Sequence, residues 1–305
     1  MWEVKHNNIF HEAYHKLNKL IALVLGENAQ YRFIYTIRTK KWLSFKNPKD
    51  LNQKLFWLAR YWRNPLITQC ADKYKVREYL ESKGCGDILN ELYGVYDDAR
   101  EIDFENLPAK FALKCNHGSG MNIVCDDKSK LDIPQSVSKL NEWLKFQFGR
   151  GVEWQYKDIN RKILAEKYLE GRNSGQMMEY QVFCLNGDPA MLLARNDLRC
   201  SSSDGDLETF AVSYTPEWKR VYYRKGEEKY TVDLPKPHNF DKIIEYAKIL
   251  SADFPQVRVD FYELDDALVF GEMTFSSNGN ILSNYKQEVL DKLGAKLRLP
   301  DPINK

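Results

Sequence analysis

Across roughly the first 84 residues apolar side chains recur at helical spacing, whereas from residue 111 they fall in short runs bounded by turn residues. This change of period narrows the fold most: helices lead and paired strands follow, an α+β chain. Phe10, Ala13, Tyr14, Leu17, Leu20, Ile21 and Val24 predict an amphipathic helix over 8–25, with Gly26 as its stop. Leu51, Leu55, Leu58, Ala59 and Trp62 predict a second helix between the Asn47-Pro48 break and Pro65. Val76, Tyr79 and Leu80 form the face of a third over 72–83, ended by Gly84. Two strands, 111–115 and 121–125, make a hairpin across Asn116-His117-Gly118-Ser119-Gly120, and a helix over 134–148 follows. Further strands are expected at 162–169, 180–185 and 190–195, the last two joined by Asn186-Gly187-Asp188-Pro189. Residues 198–240 read as loops with short strands around 210–223, and a helix over 240–250 leads to strands 256–262 and 267–273.

A chain of 305 residues is long enough for two cores meeting at a cleft. Its 45 basic and 43 acidic residues give a net charge of +2 without a block of like charges, so a duplex nucleic-acid partner is not expected. The longest apolar run, residues 20–25, is far short of the roughly 18 residues that span a bilayer, so no transmembrane segment is expected. Glu3, Lys5 and His6 in the first ten residues argue against a secretory signal, and the expected location is the cytoplasm. Six cysteines stand singly, which fits buried, unpaired thiols in a reducing compartment.

Four constellations could carry chemistry. His11-Glu12-Ala13-Tyr14-His15 has the H-E-x-x-H spacing of a zinc site, but Asn18 and Ile21 stand where an extended zinc motif needs Gly and His, so exposed helix histidines are expected. Arg258 and Asp260 project to one face of their strand, and Glu272 and Thr274 to one face of the next. In an even pairing register all four share a face, which suits Mg²⁺ held by carboxylates, an ion pair with the arginine, or an exposed sheet surface. Gly118, Ser119 and Gly120 let backbone N–H groups converge on an anion beside Lys114, or simply make a turn. Asp204-Gly205-Asp206 has the D-x-D pattern that can hold a sugar nucleotide's cation.

Taken in order, Ala71-Asp72-Lys73, Lys114 with His117-Gly118-Ser119-Gly120, Ala165-Glu166-Lys167-Tyr168-Leu169-Glu170-Gly171, Arg258-Val259-Asp260-Phe261 and Gly271-Glu272-Met273-Thr274-Phe275 resemble the ATP-grasp superfamily. The strings 114–120 and 253–260 look like its TupA-like branch, found with teichuronopeptide and surface-polysaccharide biosynthesis, and the similarity spans roughly residues 45–285. The resemblance implies a fold of two α+β lobes gripping a nucleotide, with a helical region at 1–84, a small lobe at 85–165 and a large lobe at 166–305. It further implies that Lys73 and Lys114 hold ATP phosphates under a flap of His117, Gly118, Ser119 and Gly120. Glu166, Lys167, Tyr168 and Leu169 would line the adenine hinge, and Glu179 would take the ribose. Asp260, Glu272 and Thr274 fall at the Mg²⁺ strands, where many relatives have Asn in place of Thr274, and Arg258 and Lys114 would be catalytic. The activity so implied is an ATP-dependent ligase that joins a carboxylate, such as a uronic-acid sugar, to an amine through an acyl phosphate. Arg195 and Arg199 are candidates for an anionic substrate. A phosphotransferase and a metal-dependent glycosyltransferase are the rival readings, and nothing in the residues speaks to an oligomeric state.

Overall fold

The computed structural model describes residues 9–148, 151–170, 177–196, 210–265 and 267–303. Five helices open the chain: α1 (Ile9–Leu25), α2 (Glu27–Thr39), α3 (Leu51–Tyr61), α4 (Pro65–Ala71) and α5 (Val76–Ser82). Their ends follow from local chemistry. Gly26, at φ 81°, separates α1 from α2; Asp50 caps α3 by accepting from the Gln53 N–H; and Asn64 caps α4 ahead of Pro65 in the first turn.

Four antiparallel strands form a small sheet in the order β1-β4-β2-β3, with β1 (Leu92–Tyr96), β2 (Phe111–Cys115), β3 (Asn122–Cys125) and β4 (Ile163–Lys167). One face is covered by α6 (Ile133–Lys145), capped by Asp132, whose Leu140 is fully buried among Phe111, Leu113, Ile163 and Ala165. A larger antiparallel sheet runs β10-β9-β5-β6-β7-β8, with β5 (Met178–Leu185), β6 (Asp188–Asn196), β7 (Phe210–Tyr214), β8 (Arg220–Val221), β9 (Gln256–Leu264) and β10 (Ala267–Thr274). On its back lies α7 (Phe240–Ser251), with α8 (Gln287–Lys296) near the chain's end.

Strand β9 shows how the large sheet sorts its residues. Val257, Val259 and Phe261 are fully buried, on the side where Cys184 meets the Ala247 carbonyl of α7, while Arg258, Asp260 and Tyr262 point to the other side. Burying Ile243 and Leu250 of α7 in this core contributes roughly 1.5–3 kcal/mol each. Helices α3, α4 and α5 share the same core, through Leu51, Leu55, Ile67, Val76 and Leu80, whereas Tyr31, Ile34 and Tyr35 of α2 pack with Phe45, Phe56, Val152 and Ile281.

The helices read from spacing at 8–25, 51–62, 134–148 and 240–250 are present to within a few residues, as is the 111–125 hairpin. The expected third helix starts only at Val76, because Asp72 folds back to accept from the backbone N–H groups of Tyr74 and Lys75. Cys70, Cys85, Cys115, Cys125 and Cys184 are free and buried.

Candidate active site

Between the two sheets lies a cavity of about 710 Å³. The small sheet and its hairpin loop supply Lys114, Gly118, Ser119, Gly120 and Glu166; the large sheet supplies Glu179, Arg195, Arg258 and Glu272; Lys73 enters from the turn before α5. These segments are far apart in sequence, and the sheet registers bring them together. Lys114 pairs with Leu164 and Ala112 with Glu166, so Lys114 and Glu166 are diagonal neighbours, 2.7 Å apart at Nζ and Oε2. Glu179 lies directly opposite Arg195, with Oε2 3.3 Å from Nη1, and also accepts from Gln181 at 3.0 Å.

At the base of the cavity Glu272 pairs with Asp260 and Thr274 with Arg258, so all four share one face, the even register. A one-residue bulge makes this possible. Phe270 still pairs with Phe261, and the extra Gly271 shifts every later residue of β10 by one. Arg258 then lies among the acids: Nε donates to Asp260 Oδ1 at 2.7 Å, and Nη2 donates to the other Asp260 oxygen, to Glu272 Oε1 at 3.0 Å and to Thr274 Oγ1 at 3.1 Å. Thr274 donates to Glu272 Oε1 at 2.9 Å. Of the three options for these residues, this structure holds the ion pair, on a face that is not exposed. Asp260 is 1% exposed; burial pushes its carboxyl up against the pull of Arg258. Burial works in the same sense on Glu272, but Lys73, with Nζ 3.6 Å from Oε2, and Arg258 outweigh it and hold that carboxyl below its usual range. Lys73 also donates to the Gly118 carbonyl at 2.6 Å, tying the flap to the acids.

Asn116, fully buried at the root of the flap, sets the position of Lys73. Its Nδ2 donates to Asp72 Oδ1 at 2.8 Å and to the Asn160 carbonyl at 2.9 Å, its Oδ1 accepts from the Lys162 N–H, and its carbonyl accepts from the Lys73 N–H at 3.2 Å.

Of the remaining sequence candidates, Leu169 lines the cavity. Asp260 and Thr274 lie behind it, joined to it through Arg258 and Glu272. His117 is turned away: it is 1% exposed and its Nε2 lies 3.2 Å from the Phe146 carbonyl. Lys167 is engaged elsewhere, its N–H donating to the Glu91 carbonyl at 2.9 Å and its own carbonyl accepting from Asn90 Nδ2 at 2.9 Å, and the Tyr168 ring lies beneath the Lys110 ammonium. Arg199, Asp204-Gly205-Asp206 and the side chains of His11 and His15 lie outside the described residues. Sequence reading missed Gln181, Tyr262 and Phe270 as lining residues. For Gln181 and Tyr262 the signal was strand alternation, since each lies two positions from a residue on the same strand already placed as a site candidate, whereas Phe270 precedes the bulge and pairs with core-facing Phe261, so alternation gives no such signal there.

The TupA-like ATP-grasp family matches residues 53–298, more than half of the chain. The chain belongs to that family. Its antiparallel sheets and the cavity between them are thus an ATP-grasp fold of the α+β class, which the first helices α1 and α2 precede. No curated protein matches the chain. Among solved structures it is similar to an L-amino acid ligase from Bacillus licheniformis, with 12% identity over 97% of this chain and 63% of that one and a TM-score of 0.48. It is also similar to a D-alanine–D-alanine ligase from Bacillus anthracis complexed with ATP, with 13% identity over 74% and 61% and a TM-score of 0.45. A third is the ATP-grasp ligase PsnB complexed with a phosphomimetic variant of its minimal precursor, Mg and ADP, with 10% identity over 97% and 76% and a TM-score of 0.45. The chain spans about three-fifths of the length of the two Bacillus ligases.

Proposed function

We propose that this chain is an ATP-dependent carboxylate–amine ligase that forms an amide through an acyl phosphate, joining an amino acid or amine to a uronic-acid sugar in surface-polysaccharide biosynthesis. The observation that carries the reading is the charge arrangement of the cavity. Among the described residues, Lys73, Lys114, Arg195 and Arg258 each lie against an acid drawn from Glu166, Glu179, Asp260 and Glu272. A ligand that brings a polyanionic tail together with a divalent cation offers new partners to both sets at once.

In this reading Lys73 and Lys114 leave Glu272 and Glu166 for the phosphates, and the N–H groups of residues 118–120 close over them. Glu166 and Leu169 border the adenine and Glu179 the ribose. Asp260 and Glu272, hard oxygen donors, would hold Mg²⁺, with Thr274 behind Glu272; among the described residues no group of three or more His, Cys, Asp or Glu surrounds a metal position. The ion neutralises phosphate charge when bound. Arg258, released in part from Asp260, stabilises the oxyanion formed as the amine attacks, and the flap excludes the water that would hydrolyse an acyl phosphate. Arg195 meets the acidic substrate on the Glu179 side. The division at residues 84 and 165 belongs to the same reading, and it cuts β4, whose Glu166 and Lys167 still pair within the small sheet. So does a cytoplasmic location, which the buried free cysteines favour; no described helix is long and apolar enough to cross a membrane.

An ADP-release screen over pairs of carboxylates and amines tests the reading. The expected result is ADP and amide formed together, with turnover reduced at least a hundredfold by Asp260→Asn. A stable phosphorylated acceptor formed without amine would make the protein a kinase and overturn the ligase assignment.

A further inference from the structure

Residues 1–49 hold nine of the Lys and Arg residues and three of the Asp and Glu residues, a net charge of +6, while residues 50–305 hold 36 and 40, a net −4. No acid occurs between Asn28 and Lys49. The same segment carries apolar side chains that nothing among the described residues covers. In α1, Leu17, Leu20, Leu23, Val24 and Leu25 are exposed, Leu23 by 84%, and of its described side chains only Asn18 is buried. Those side chains enter none of the hydrophobic cores. Leu17, Leu20 and Val24, three and four residues apart, make one stripe, with Lys16 and Lys19 exposed alongside. Following α1, Ile37 and Trp42 are also exposed, Trp42 by 67%, near Lys40 and Lys46.

An aliphatic stripe with flanking lysines is the composition of a helix that lies in a membrane interface, and the exposed tryptophan after α2 is a residue type enriched at that depth. Charge complementarity selects the surface. A second copy of the chain would bring two +6 segments together, and a nucleic acid would leave the leucines in water, whereas an anionic bilayer satisfies both. We propose that the N-terminal helices dock this protein on an anionic lipid bilayer, with α1 in the interface, Leu17, Leu20 and Val24 among the acyl chains and Lys16 and Lys19 reaching to the headgroups. Docking of this kind leaves the ATP-grasp cavity free and does not depend on which reaction runs there.

Flotation of the full chain with vesicles tests this, comparing phosphatidylcholine alone with phosphatidylcholine mixed with phosphatidylglycerol. The expected result is flotation with the mixed vesicles, weakened by salt. Lys16→Gln with Lys19→Gln should weaken it about thirtyfold, and Leu20→Glu with Val24→Glu should abolish it, both variants keeping the parent's Tm. Failure of the parent to float with the mixed vesicles, or flotation of the Leu20→Glu, Val24→Glu variant, would overturn the proposal. So would a dimer in sedimentation velocity that this variant dissolves, or capture of a duplex DNA probe in preference to the vesicles.

Discussion

His117 illustrates how a residue in a functional motif can serve the fold. Burial holds its imidazole below its usual range of about 6.5, and the nearby Arg161 and Lys73 charges act in the same direction against the Phe146 carbonyl. Below pH 6.5 the unfolded chain takes up a proton that the folded chain refuses, so this part of the stability is present above pH 6.5 and is lost as the pH falls from there through the lower folded-state value. Urea unfolding should therefore give lower stability at about pH 5.5 than at about pH 7.5, and His117→Gln should flatten that dependence. An equal slope in the variant would place the titrating group elsewhere. The motif showed that residues 117–120 form a loop over the site, but not which side chain faces in, because a loop lacks the strand alternation that fixed the facing of Arg258 and Asp260.

At the scale of elements, the β9–β10 ribbon depends on one position. A Cβ at Gly271 would lie 3.0 Å from both the Asp260 carbonyl oxygen and the Tyr262 ring, so a branched side chain cannot enter the bulge without moving the strands. Gly271→Val should cost about 1–3 kcal/mol and slow ADP release at least tenfold by misplacing Glu272; parent-like turnover would show that the bulge does not set the site. The flap offers a contrast. At Gly118 a Cβ would lie 2.5 Å from Met121 Cε and 2.7 Å from Phe148, while Gly120 is in open space at φ 75°. Gly118→Ala should weaken nucleotide binding and lower Tm, and Gly120→Ala should cost only about 1 kcal/mol, from backbone strain. Thermal shifts with and without ATP separate the two, and equal losses would contradict the assignment. Alternation exposed the residues on each face of the ribbon, but the bulge itself was illegible, since a period of two gives facing and not register. Helix α2 was missed although Tyr31, Ile34 and Tyr35 keep helical spacing, because Gly26 reads as a stop and the chain restarts a helix immediately. Strand β1 was missed because Leu92-Tyr93-Gly94-Val95-Tyr96 is half-buried throughout and shows no alternation.

For the whole molecule, helical spacing revealed the apolar faces of α3 and α5 but not what covers them, and the structure buries both in the core of the large sheet. The turn carrying Lys73 is thereby anchored to the same body as Arg258 and Glu272, while Lys114 and the flap belong to the small sheet. The cavity exists because these two bodies face each other, and the account's central claim is that a nucleotide's phosphates bind across them. A crystal structure with a non-hydrolysable ATP analogue and Mg²⁺ tests this most directly. The account predicts β and γ phosphates within hydrogen-bond reach of both Lys73 and Lys114, with the ion on Asp260 and Glu272 and the Lys114–Glu166 pair opened. Phosphates bound outside this cavity, or inside it with Lys114 still held by Glu166, would contradict it.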